Sequence, residues 1–171
     1  SMHRGNFPVF PTGYWTLGPS PSVTTQLAWS VANSSTSTTF TGPSSNHTPG
    51  GSKYLYTEGS TLTGNSARII TPCIDLSRNT KCLALEFYYH MFGAGVKRLR
   101  VDVDTGSTTE AWHIAYVNIL GEQNTSSNDP WKKAIVGLEQ FNGKFIRLRF
   151  HAVRDNAAPT ADKDKYDIAI D

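Results

Sequence analysis

Several things are scarce in these 171 residues, and each scarcity excludes something. Charged residues make up 18%, against roughly 25% in an average globular chain. The net charge is +2, so composition by itself argues neither for nor against a nucleic-acid or anionic partner; no nucleic acid is among the partners expected. No apolar run approaches the roughly 18 residues of a membrane span, so no direct membrane insertion is expected. The opening Ser1-Met2-His3 does not read as a secretory leader, which leaves a removed leader open. No window keeps a 3.6-residue apolar period over three turns, so helices are not expected.

Cysteine is scarce too. Cys73 and Cys82 are the two, with no CxxC or paired-histidine spacing of a zinc site. A disulfide between them is expected, worth about 2.5–3 kcal/mol on the chain-entropy account. The alternative is two buried thiols in a reducing compartment. Signatures of catalysis are also missing. There is no GxSxG nucleophile turn and no ExDxxE strand of paired carboxylates, and the chain is expected not to be an enzyme.

What is present is alternation. In CLALEFYYHMFGAGVKRLRVDVD, residues 82–104, Leu83, Leu85, Phe87, Tyr89 and Met91 fall on one side of an extended strand. Ala84, Glu86, Tyr88 and His90 fall on the other. After Gly93-Ala94-Gly95 the period resumes, with Leu99, Val101 and Val103 against Arg98, Arg100 and Asp102. Two such runs across a short glycine loop predict a β-hairpin whose apolar face needs a second sheet to cover it. Further strands are expected at 53–57, 67–71, 111–120, 131–138, 145–153 and 166–171. Many short strands with frequent turns predict an all-β antiparallel β-sandwich of one domain. Its core should include Leu83, Leu85, Phe87, Leu99, Val101, Leu148, Phe150 and Ile168. Residues 1–28, with Pro8, Pro11, Pro19 and Pro21, should be an irregular segment packed on the sandwich of 29–171. Trp15 and Trp29 should anchor it, and all four tryptophans are expected to be structural. Residues 33–52 read as a long polar surface loop.

The outward positions Glu86, Tyr88, His90, Arg98, Arg100, Arg147, Arg149 and His151 could form one polar platform. A sugar or an acidic partner would dock there by stacking and bidentate hydrogen bonds. The competing reading is a solvated face whose charges pair across strands, Asp102 or Glu86 with the arginines. Sequons at Asn33, Asn46 and Asn124 give weak support for a glycosylated, secreted chain.

Several stretches taken together resemble the MAM domain. They are GPSSNHTPGGSKYLYTE (42–58), ARIITPCIDLS (67–77), CLALEFYYHMFGAGVKRLRV (82–101), the paired Trp112 and Trp131, FIRLRFHAVR (145–154) and DIAID (167–171). The match runs from about Trp29 to Asp171. This resemblance implies a jelly-roll sandwich and a noncatalytic extracellular module for adhesion or protein–protein recognition. Such a module sits within a larger secreted or surface protein. Its partner would be a protein or glycan at a cell surface, with self-association allowed. The alternative is a carbohydrate-binding module of a secreted hydrolase. The chain departs from the family in lacking a cysteine and an acid over 6–17, and in having Asn46 where an Asp is usual. Microbial or protist members look closer than vertebrate receptors. No cofactor is required, but the resemblance implies a structural Ca²⁺ or Na⁺ where the chain ends meet, with Asn46 and Asp171 as ligands.

Overall fold

A computed structural model describes residues 16–17, 29–50, 53–58, 64–106 and 111–171. The strands are β1 (Thr16–Leu17), β2 (Trp29–Ala32), β3 (Tyr54–Thr57), β4 (Ser66–Ile70), β5 (Ile74–Asp75) and β6 (Ala84–Met91). They continue with β7 (Val96–Asp104), β8 (Trp112–Leu120), β9 (Lys132–Gly137), β10 (Phe145–Arg154) and β11 (Ile168–Ile170). Two antiparallel sheets form. The first runs β1-β4-β10-β7-β8, with β5 also paired to β10, and the second runs β2-β3-β11-β6-β9. The all-β antiparallel sandwich read from alternation is the fold.

The inner faces follow the period of two. Leu85, Phe87 and Met91 from β6 meet Leu99, Val101 and Val103 from β7, and Ile146, Leu148, Phe150 and Ala152 from β10; all are buried. Phe87 packs edge-on to Phe150 across the core, ring centroids 5.3 Å apart. Leu83 is only partly buried against this cluster. Removing so much apolar surface from water is the main force holding the two sheets together.

One expectation fails. β6 and β7 are not a hairpin. β6 pairs with β9 and β11, whereas β7 pairs with β10 and β8. The chain at 93–95 arches from one sheet to the other. A hairpin would leave two apolar faces pointing the same way, whereas an arch lets each cover the other. Gly93 makes the arch, with φ +139°, and a Cβ there would collide with the Lys165 carbonyl. Gly95 donates its N–H to that same carbonyl at 2.8 Å.

The arch has a counterpart at the cysteines. Cys73 leads into β5 of the first sheet and Cys82 into β6 of the second. Both are exposed and free, so the expected disulfide is not formed. The chain between them turns through Asp75, Ser77 and Asn79, which carry its hydrogen bonds.

Of the N-terminal segment, Thr16 and Leu17 pair with Ile70 and Ile69 at the edge of the first sheet. Trp15 and the rest of 1–28 lie outside the described residues. The polar loop after β2 is tied down. Thr41 is buried, donates to the Phe92 carbonyl at 2.8 Å and accepts the Asp167 N–H at 2.8 Å.

Candidate binding surfaces on the two outer faces

Because β6 and β7 lie in opposite sheets, their outward side chains point away from each other. The single platform expected from sequence is therefore split. Glu86, Tyr88 and His90 belong to the second sheet, and Arg98, Arg100, Arg147, Arg149 and His151 to the first.

On the first sheet the charges are laid across strands. The register sets Arg149 opposite Asp102 and Arg147 opposite Asp104. Asp102 is fully buried. It accepts hydrogen bonds from Arg149 Nε at 2.8 Å and the Ala115 N–H at 2.8 Å, and pairs with Arg100 Nε at 2.8 Å. Ala115 reaches it because β8 bulges there, with φ +56° and a register shift opposite Asp102. Asp104 accepts from Arg147 Nε at 2.9 Å, Ala111 N–H at 2.7 Å and Gly106 N–H at 3.0 Å. Burial alone would raise its pKa, but the two backbone donors and Arg147 outweigh it and hold the carboxyl below its ordinary range. The Arg149 guanidinium lies 4.0 Å from the Trp112 ring centre and that of Arg147 5.6 Å, within cation–π reach. Arg149 thus meets Asp102 across strands, as the competing reading expected, whereas Arg100 meets it along β7 and Arg147 meets Asp104. His151 is buried beside Arg100. Burial first, then the charges of Arg100 and Arg68, push its pKa down to about 3, so the ring is neutral.

The second face is built of rings. Tyr88 stacks on His47, centroids 3.5 Å apart and planes 14° apart. Trp131 lies edge-on to Tyr54 at 5.3 Å and near His90 at 5.8 Å, and its Nε1 donates to the Ser45 carbonyl at 3.0 Å. Lys133 pairs with Glu86 at 2.9 Å and sits 5.7 Å from the Tyr88 ring centre. Ile135, opposite Glu86 in the register, is 63% exposed. His90 does not belong to this surface. It is fully buried beside Trp131 and the 124–130 turn. Burial takes its pKa down to about 4, against the opposing charge of Asp129.

That turn corrects another expectation. Asn124 is 2% exposed. Its Oδ1 accepts the Met91 N–H at 2.9 Å and its Nδ2 donates to the Pro130 carbonyl at 3.1 Å. Both amide atoms are committed inside the fold, so this sequon presents no acceptor for a glycan. Asn33 is exposed, and Asn46 is half-buried.

The two residues suggested for a metal do come together. Asn46 Nδ2 donates to the Thr48 carbonyl at 2.7 Å, and the Thr48 N–H donates to Asp171 Oδ2 at 3.1 Å. Among the described residues no three His, Cys, Asp or Glu side chains cluster. One carboxylate, already accepting a backbone N–H, and one amide make a thin donor set for Ca²⁺, which takes six to eight oxygens.

Sequence reasoning missed Asp104, Trp112 and Arg68 on the first face, and His47, Trp131 and Lys133 on the second. Asp104 and Lys133 carried a signal, since each continues the outward period of its strand. His47 carried none, because it comes from the loop before β3.

The profile of the family described as "MAM domain, meprin/A5/mu" matches residues 18–171. The chain belongs to the MAM family. This MAM domain is 31% identical over 148 residues to thyroid hormone-induced protein B of Xenopus laevis, covering 84% of the chain and 19% of that protein. It is 27% identical to human MAM domain-containing protein 2, covering 84% and 19%, and 28% identical to human neuropilin-1, covering 82% and 16%. The chain therefore spans less than a fifth of these relatives' length. Among solved structures, the K2 adhesin domain of Lys-gingipain shares the fold at a TM-score of 0.50 and 14% identity, covering 93% of this chain and 86% of that one. No described helix is long and apolar enough to cross a membrane.

Proposed function

We propose that this MAM domain is a noncatalytic extracellular module for adhesion or protein–protein recognition within a larger secreted or surface protein. Family membership over residues 18–171 carries the reading. The second sheet's outer face supports a protein partner, because Tyr88, the Glu86–Lys133 pair and exposed Ile135 combine an aromatic ring, a paired charge and an aliphatic knob in one patch. Interfaces of moderate affinity are commonly built this way.

Labelled domain should bind intact cells saturably. Protease treatment of the cells should remove the binding and glycosidase treatment should leave it. Ile135→Asp and Tyr88→Ala should each weaken it at least tenfold. Binding that survives protease and is lost to glycosidase would replace this reading with a carbohydrate-binding one. Sedimentation showing a concentration-dependent dimer would identify a second copy of the chain as a protein partner.

A further inference from the structure

We infer that the outer face of the first sheet holds a binding site for a tetrahedral oxyanion, a sulfate or phosphate group, between Arg68, His151 and Arg98. The site does not depend on the function proposed above, which uses the opposite face.

The argument begins with an excess of donors. Outward positions of β4, β7 and β10 carry Arg68, Arg98, Arg100, Arg147 and Arg149, against Asp102 and Asp104. The two carboxylates are taken up by Arg100, Arg149 and Arg147. Arg68 and Arg98 form no ion pair among the described residues, and Arg98 Nε is buried without a hydrogen-bond partner.

The geometry around His151 sharpens the excess. Register places Arg68 and Arg100 on either side of His151. Arg100 Nη2 lies 2.7 Å from His151 Nδ1, and Arg68 Nε lies 3.5 Å from Nε2. A guanidinium only donates, and a neutral imidazole has one donor and one acceptor nitrogen. The short contact makes Nδ1 the acceptor. Nε2 then carries the proton, and it faces the Arg68 N–H donor to donor. The 3.5 Å separation lies beyond the roughly 2.7–3.2 Å of an ordinary hydrogen bond, so the Arg68 Nε–H directed at the ring is poorly satisfied there. An anion beside them would accept from Arg68 Nε–H and His151 Nε2–H at once. Arg98 stands two residues from Arg100 on the same face, opposite Val153, and supplies a third donor from the next strand but one. Donors from three strands, not one planar fork, suit a tetrahedral group better than a planar carboxylate. Burial and the neighbouring charges of Arg149 and Arg100 already weigh against the Arg68 cation, and a bound anion would relieve both.

The test is isothermal titration of the intact domain with sodium sulfate and with sodium phosphate, at constant ionic strength in chloride. Saturable binding is expected for both, with acetate at least tenfold weaker. Arg68→Gln and Arg98→Gln should each weaken sulfate binding at least tenfold, whereas Lys133→Gln on the other face should not change it. In wild-type protein, where no variant has to fold, sulfate should shift the ¹⁵N signals of Arg68 Nε and His151 Nε2 and leave His90 unmoved. A heparin-derived sulfated disaccharide separates the sources. Binding tenfold tighter than free sulfate upholds the site and assigns the group to a glycan; equal binding upholds it for the free ion. Absence of saturable binding, or binding unchanged in both arginine variants with those signals unmoved, would overturn the inference.

Discussion

The outer face of the first sheet is held by charge, and that of the second by stacked rings. Each sheet buries one histidine, but by different means. His151 sits among guanidiniums, and His90 sits beside an indole under a turn. The contrast bears on how each face responds to change. A buried carboxylate between two arginines is satisfied only while every partner stays in place, because a charge left alone in low dielectric is expensive. Ring contacts are graded, since each is worth about 0.5–1.5 kcal/mol beyond its buried area. The first face should fail abruptly and the second by degrees.

Asp102→Asn should show this most strongly. It keeps the shape but removes the charge facing Arg149 and Arg100, whose side chains are 9% and 11% exposed. Urea denaturation should show a loss of about 3–5 kcal/mol. A loss under 1 kcal/mol would put the two faces on the same footing. Trp131→Ala on the second face should cost about 2–3 kcal/mol, less than the 3–5 typical of a fully buried aromatic, because Trp131 is half-buried.

Acid probes both faces. His90 and His151 have folded pKa values pushed down to about 4 and about 3 from 6.5. Below pH 6.5 the unfolded chain binds protons that the folded one refuses, so stability falls as pH drops from 6.5 and the loss is complete near the folded values. Allowing for partial solvent screening, each ring should contribute on the order of 2 kcal/mol. Urea midpoints at pH 7, 5 and 4 should decline, and His90→Gln and His151→Gln should each flatten the decline. Asp104 acts in the same direction at lower pH, because its pKa is depressed and its stabilisation disappears as it protonates. A flat profile in wild-type protein would mean the rings are not buried neutral.

The smallest effects concern exposed groups. Glu86→Gln breaks the Lys133 pair, whose side chains are 47% and 39% exposed, and should cost well under about 1 kcal/mol. Cys73 and Cys82, exposed and free, should both react with a thiol reagent in native protein at no cost in stability. An unreduced mass two hydrogens short would restore the bond expected from the sequence.

What could be read in advance followed from period. β6, β7 and β10 alternate cleanly, so their inward residues were legible, and so was the cross-strand pairing of Asp102 with an arginine, Arg149. Whether β6 and β7 share a sheet was not legible, since a hairpin and an arch have the same local pattern. That one ambiguity also merged two faces into one platform. His90 continues the outward period of β6, yet a turn more than thirty residues later lies over it. Asn124 matched a glycosylation motif while serving as the peg of that turn, and a three-residue motif carries no information about burial. The bulge at Ala115 shifts the register of β8 partway along its length, and a strand whose two faces are both fairly apolar gives no sign of that in its period.

The place of β11 has a consequence for synthesis. It comes last of the strands, yet it lies in the middle of its sheet, joining β3 to β6. β3 and β6 cannot become parts of one sheet until residue 170 has left the ribosome. At about 5–20 residues per second, β6 spends on the order of several seconds translated and without its central neighbour. Its apolar side, Leu85, Phe87 and Met91, needs a cover during that interval. Long-range pairing of this kind belongs to the slow-folding, aggregation-exposed class. The nascent domain is thus a natural client for chaperones.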